Sequence, residues 1–78
     1  MMQVIVYSRP ACGPCRATKR ALEARGIKYE DRDADAYPEE VERLALLHGR
    51  TLPLVVAGSI SWGGFQPDNI SSLWTPPL

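Results

Sequence analysis

The sequence predicts an α/β domain: a four-stranded mixed sheet flanked by three helices, in the order β-α-β-α-β-β-α. Three observations carry this. A β-branched, apolar run opens the chain and gives way within a few residues to a stretch rich in helix formers. A shorter run and a second helical stretch repeat that alternation, as a parallel strand–helix–strand unit requires. Two further apolar runs then stand on either side of Gly58–Ser59, the spacing of a tight hairpin.

The first strand is "QVIVY" (Gln3–Tyr7), apolar almost throughout, as expected of a strand covered on both faces. Ser8–Ala11 is a loop containing Pro10. A helix follows from about Gly13 to Arg25, and Gly26 is its natural stop. "IKYED" (Ile27–Asp31) alternates weakly and gives the second strand. Pro38 suits the first turn of the second helix, where Val41, Leu44, Ala45 and His48 fall on one face and Gly49 ends it. Leu54–Ala57 and Ile60–Trp62 form the hairpin, and Gln66–Pro67–Asp68 opens a short last helix to about Trp74. Residues 75–78 are a proline-rich tail. A parallel β-α-β unit followed by an antiparallel hairpin and a covering helix is the minimal thioredoxin fold.

Seventy-eight residues make one domain, 1–78, with a modest core. Two cysteines are too few for the disulfide framework of a small secreted domain. The start "MMQVIVYS" has no basic segment, long apolar run or cleavage site, and no stretch is long enough to cross a bilayer. A cytoplasmic protein in a reducing compartment is expected. Net charge is zero but unevenly spread: residues 1–28 carry six bases and one acid, whereas residues 29–42 carry one base and seven acids. Cations around the cysteines would steer an acidic partner and favour a thiolate. With no overall basic balance, nucleic acid is not an expected partner.

Both cysteines lie in "RPACGPCRATKRAL", three residues apart at the end of a buried strand and the start of a helix. The first turn of a helix exposes unpaired N–H groups and the positive end of the macrodipole, and both favour an anion. Cys12, at or just before the helix start, is expected to be the nucleophilic thiolate, supported by Arg9 and Arg16. Cys15 lies one turn further in, on the same side but more sheltered, as a resolving thiol should be. Gly13 and Pro14 fit the first helical turn, where a missing N–H costs nothing. A structural disulfide closing so short a loop would stabilise little. Tetrahedral zinc needs four ligands, and beyond the thiols the chain adds only His48, read as capping the C-terminus of its helix; no metal site is expected. A C-x-x-C soft-metal carrier is the rival from another class. Pro53 precedes a strand and, in the predicted fold, faces the cysteines. A cis Leu52–Pro53 bond there would turn the Leu52 backbone outward to pair with a substrate strand, so cis is expected.

From Gln3 to Leu73 the chain resembles the glutaredoxin-like NrdH-redoxins. The likeness rests on "VYSRPACGPCRATKRALEARGIKY", on Leu52–Val56, and on "WGGFQPDNI", where Trp62, Gly64, Phe65, Pro67 and Asp68 match a W-S-G-F-x-P-D signature. The resemblance implies a monomeric dithiol–disulfide oxidoreductase with no bound cofactor. Its electrons would come from NADPH through thioredoxin reductase, and its target would be the large subunit of class Ib ribonucleotide reductase. Cys12 would attack, Cys15 would resolve, and Pro53 would be the facing cis-proline. Leu52, Trp62, Gly63, Gly64 and Phe65 would form the docking surface. The chain departs from the family's pattern at Gly13–Pro14 (the thioredoxin dipeptide), at Gly63 in place of serine, at Thr51–Leu52, and at Arg32 in a usually apolar strand position. The Gly63–Gly64 pair and Arg9 are glutaredoxin-like. The remaining alternatives are therefore a glutathione-dependent glutaredoxin and a general thioredoxin-like protein reductase.

Overall fold

The computed structural model describes residues 3–73, which form the four-stranded sheet and three helices expected of the minimal thioredoxin topology. The elements are β1 (Val4–Ser8), α1 (Gly13–Ala24), β2 (Glu30–Asp33), α2 (Pro38–His48), β3 (Leu54–Ala57), β4 (Ile60–Gly63) and α3 (Pro67–Ser72), with a 3-10 turn at Ala34–Ala36 between β2 and α2. The sheet order is β2-β1-β3-β4; β1 and β2 are parallel and the other pairs antiparallel.

Alternation along β1 sorts the core into two halves. Val4 and Val6 join Leu22 of α1, Ile27, Val55, Ala57, Trp62, Ile70 of α3 and Leu73 in one buried cluster. Tyr7, Ala34 and Leu54 form the other, against the half-buried Ile5, Tyr37, Val41, Leu44, Leu52 and Val56. Helix α1 buries Cys15, Thr18 and Leu22, spaced three and four residues apart on one stripe. The Thr18 hydroxyl is satisfied by donating to the Pro14 carbonyl at 2.9 Å.

Several boundaries move. Strands β1 and β4 each run one residue beyond their expected C-terminal ends. Helix α3 ends at Ser72; the expected end at Trp74 and the tail at 75–78 lie outside the described residues. The largest correction is β2, expected at Ile27–Asp31 and found at Glu30–Asp33. The cause lies at the end of α1. Gly26 adopts φ 68°, its N–H bonds the Glu23 carbonyl at 3.0 Å, and the Ile27 N–H bonds the Leu22 carbonyl at 2.9 Å. This double C-cap holds Ile27 against the helix and in the core, so pairing with β1 begins only at Glu30, opposite Ile5.

His48 also differs from expectation. It ends α2, but its Nε2 is hydrogen-bonded to Ser61 Oγ on β4 at 2.8 Å rather than capping its own helix. Arg32, out of character for a strand core, lies over Tyr37 with its guanidinium carbon 4.7 Å from the ring centroid. It also donates to the Tyr7 hydroxyl at 3.2 Å and pairs with Glu30. Its stem and charge thus replace an apolar side chain on the thinner face of the sheet.

Candidate active site at the paired cysteines

Register brings the reactive segments to one end of the sheet. Tyr7, near the end of β1, pairs with Leu54, the first residue of β3. The chain leaving β1 carries the cysteines, and the chain entering β3 carries Leu52 and Pro53. Both therefore emerge at the same end of the sheet.

Cys12 is the N-cap of α1, in extended backbone conformation, and its Sγ accepts the Cys15 backbone N–H at 3.2 Å. One of the otherwise unpaired N–H groups of the first turn is thus aimed at the Cys12 sulfur, along with the positive end of the helix. Pro14 occupies the first turn, where its lack of a donor costs nothing, and Arg16 donates its N–H to the Cys12 carbonyl at 3.1 Å. The two sulfurs are joined as a disulfide with the Cα atoms 5.2 Å apart. They are unequal in access: Cys12 is half-buried, whereas Cys15 is 1 % exposed.

Sequence reasoning overlooked Ala11. It precedes Cys12 at φ 59°, in the left-handed region that a residue with a Cβ rarely occupies, at a cost on the order of 1 kcal/mol. No local signal marks it, because the turn from β1 into α1 imposes it.

Around the pair, Arg9 forms an ion pair with Asp35 at 2.8 Å, and the side chain of Arg16 is exposed on α1. Gly13 is exposed beside Cys12. The Leu52–Pro53 bond is cis, as expected, and Pro53 is buried while Leu52 is half-buried. A cavity of about 210 Å³ opens beside this segment, with Leu52 and Leu54 in its wall and Arg9 and Arg50 at its margins. On the exposed face beside β1, Asp31 accepts from Ser8 Oγ at 2.8 Å and from Lys19 Nζ at 2.7 Å. Partial burial on its own would raise the Asp31 pKa, but the hydrogen bonds from Lys19 and Ser8 outweigh it and hold the carboxyl below its usual range.

The expected docking surface divides in two. Phe65 is 43 % exposed and Gly63 and Gly64 are half-buried, but Trp62 is 3 % exposed, inside the larger core cluster. The Trp62 indole N–H has no hydrogen-bond partner among the described residues. Trp62 holds the hairpin to the core, and Phe65 is the aromatic that a partner could reach. No group of three or more His, Cys, Asp or Glu side chains among the described residues is arranged to hold a metal ion.

The glutaredoxin family profile matches residues 4–60. The glutaredoxin-like protein NrdH of Escherichia coli is 45 % identical over 76 residues, covering 97 % of this chain and 94 % of that protein. A solved structure of the E. coli NrdH-redoxin, described for its thioredoxin-like activity profile, superimposes with a TM-score of 0.85 at 44 % identity, covering 96 % of this chain and 99 % of that one. A glutaredoxin from Archaeoglobus fulgidus shares the fold, with a TM-score of 0.75 at 23 % identity over 94 % of this chain and 86 % of that one. An accessible sulfur at a helix N-terminus bonded to a sheltered one is an arrangement suited to thiol–disulfide exchange. The chain belongs to the glutaredoxin family, in its NrdH-redoxin branch, and is a thiol–disulfide oxidoreductase.

Proposed function

We propose that this redoxin carries electrons from thioredoxin reductase to protein disulfides, the physiological target being the large subunit of class Ib ribonucleotide reductase. The observation that carries the reading is the inequality of the two sulfurs. Cys12 is accessible and accepts an N–H bond at the positive end of α1, whereas Cys15 is enclosed behind it. In the reduced protein that bond and the helix field favour Cys12 as thiolate.

The Cys12 thiolate attacks one sulfur of the target disulfide. A mixed disulfide forms, and the other target sulfur leaves as a thiolate and takes up a proton. Cys15 then gives up its proton and attacks Cys12 Sγ, which releases the second target sulfur as a thiol and closes the Cys12–Cys15 bond. The target has gained two electrons from the redoxin and two protons, one from Cys15 and one from solvent. NADPH, through the flavoenzyme, restores the dithiol, so the redoxin needs no bound cofactor of its own. Arg9 and Arg16 add positive charge near the approaching sulfur. Gly13 and Pro14 keep the first helical turn free for Cys12. The Leu52 backbone beside Pro53 receives the target strand, with Leu52, Gly63, Gly64 and Phe65 around it. Among the described residues, neither the N–H nor the carbonyl of Leu52 has a hydrogen-bond partner within the chain, which supports that role. The protein acts as a monomer in the cytoplasm.

The thioredoxin-like activity profile attributed to the E. coli relative supports thioredoxin reductase over glutathione as the donor. The test follows NADPH consumption with an insulin disulfide, supplying either thioredoxin reductase or glutathione with glutathione reductase. Turnover with thioredoxin reductase alone is the expected result. Turnover only with glutathione would overturn the donor assignment. In the same assay Cys12→Ser should abolish reduction, while Cys15→Ser should accumulate mixed disulfides with the target. Activity surviving without Cys12 would reverse the roles of the two sulfurs.

A further inference from the structure

Gly63 is where this chain has glycine in place of the family's serine, and its surroundings give a reason. Its backbone is not in the left-handed region, so conformational freedom does not require glycine there. Space does. A Cβ built on Gly63 would lie 3.0 Å from Thr51 Oγ1, 3.2 Å from His48 Cβ and 3.4 Å from a Leu54 methyl. His48 is the last residue of α2, Thr51 lies in the short connection from α2 into β3, and Leu52 is the next residue along it.

Two further contacts close the same joint. The Gly64 N–H donates to the Pro53 carbonyl at 2.8 Å, which carries the pairing of β3 with β4 one step past Leu54 and Gly63. His48 Nε2 is bonded to Ser61 Oγ at 2.8 Å, fixing the end of α2 to the same strand. The connection from His48 to Pro53 is therefore seated along β4 at three points, and the seat at Gly63 exists because that residue has no side chain.

We propose that Gly63 is a positioning residue for the disulfide exchange: by letting Thr51 and His48 close onto β4, it sets where the Leu52 backbone meets an incoming target strand. The proposal rests on the function inferred above, in which Leu52 receives the target. A side chain at 63 displaces Thr51 or His48 by a few tenths of an ångström or more. Because Leu52 follows Thr51 directly, the displacement reaches the docking edge and leaves the Cys12–Cys15 turn in place. Binding of a protein target should suffer, while the exchange step itself should not.

The experiment is steady-state reduction of an insulin disulfide by full-length protein, coupled to NADPH, comparing unsubstituted protein with Gly63→Ala and Gly63→Ala/Thr51→Ala. Gly63→Ala should raise KM roughly tenfold with kcat within about twofold, since misplacement by a fraction of an ångström at a docking edge is enough. Truncating Thr51 removes the shortest of the three contacts and leaves the one to His48, so the double variant should recover at least half of the rise in KM, on a logarithmic scale. A merely structural glycine would instead lower the thermal midpoint with KM and kcat unaffected in the folded fraction, and that result overturns the proposal. A rise in KM that Thr51→Ala does not reverse to that extent also overturns it. Should Gly63→Ala not fold, Ser61→Ala releases His48 without adding atoms and should raise KM roughly threefold; an unchanged KM there overturns the proposal. Unsubstituted protein that reduces no protein disulfide with either electron source overturns the function and this proposal with it.

Discussion

The two faces of the sheet are built to different standards. On one face, α1 and α3 close over a cluster in which Val6, Leu22 and Val55 have no exposed surface at all. On the other face α2 buries no residue fully, its inward positions Val41, Leu44 and Ala45 are half-exposed, and Leu46 and Leu47 on its outer side are 80 % and 70 % exposed. The functional halves divide along the same line. The cysteine turn is the start of the well-packed helix, whereas the Thr51–Leu52 segment leads away from the loosely packed one. The sulfur pair thus rests on the better-packed helix, and the segment leading to the cis proline, tied to β4 by hydrogen bonds, follows the helix with the thinner core.

Core truncation should separate the faces most strongly. Leu22→Ala removes a fully buried side chain and should cost about 2–5 kcal/mol, whereas Leu44→Ala, half-exposed on α2, should cost less than about 2 kcal/mol. Urea midpoints at a shared m-value measure both, and equal losses would show that the thin face is as well packed as the thick one. Ser61→Ala tests one of the polar ties that hold α2 down, and loss of its bond to His48 should cost about 0.5–1.5 kcal/mol by the same measurement.

A weaker effect is expected on the acid limb. The Asp31 carboxyl is held below its ordinary value of 3.8, so its contribution is present above about pH 4 and disappears as pH falls through the lowered native value. Asp31→Asn should therefore be less stable than the unsubstituted protein at neutral pH and lose less stability between about pH 4 and pH 2. Parallel pH profiles of the two proteins would remove Lys19 and Ser8 as the cause. The smallest effect belongs to Leu46→Glu, which should change stability by no more than about 0.5 kcal/mol because the side chain is almost wholly in solvent. A larger loss would mean that the outer side of α2 is covered in solution.

Where sequence reading succeeded, the signal was local. The C-x-x-C spacing with Pro14, the stop at Gly26 and the hairpin at Gly58–Ser59 each follow from the conformational needs of a few adjacent residues, and the structure keeps all three. Strand β2 was misjudged because "EDRD" carries no apolar alternation: as an edge strand it is held by pairing with β1, and Ile27, which looked like its start, completes the cap of α1. At Trp62 the residue type alone favours a core or rim aromatic, and only the family resemblance moved it to the surface. Its strand position opposite Val55 turns it into the core. Gly63 was expected in a docking surface, and the close approach of Thr51 and His48 to it became visible only once α2 was seen lying against β4, a juxtaposition that no local pattern encodes.

The same four charged residues bear on how the molecule behaves in company. Strand β2 is an outer edge of the sheet, and a row of unpaired backbone groups there invites a strand from another molecule to add on. Glu30, Asp31 and Asp33 would bring like charges together across any pairing of two such edges, and the carboxylates could not be stripped of water cheaply. The opposite edge, β4, has no such guard: its residues are Ile60, Ser61, Trp62 and Gly63. Among the described residues, sheet extension between molecules is thus opposed by charge at β2, and crowding at high concentration would bear more on β4.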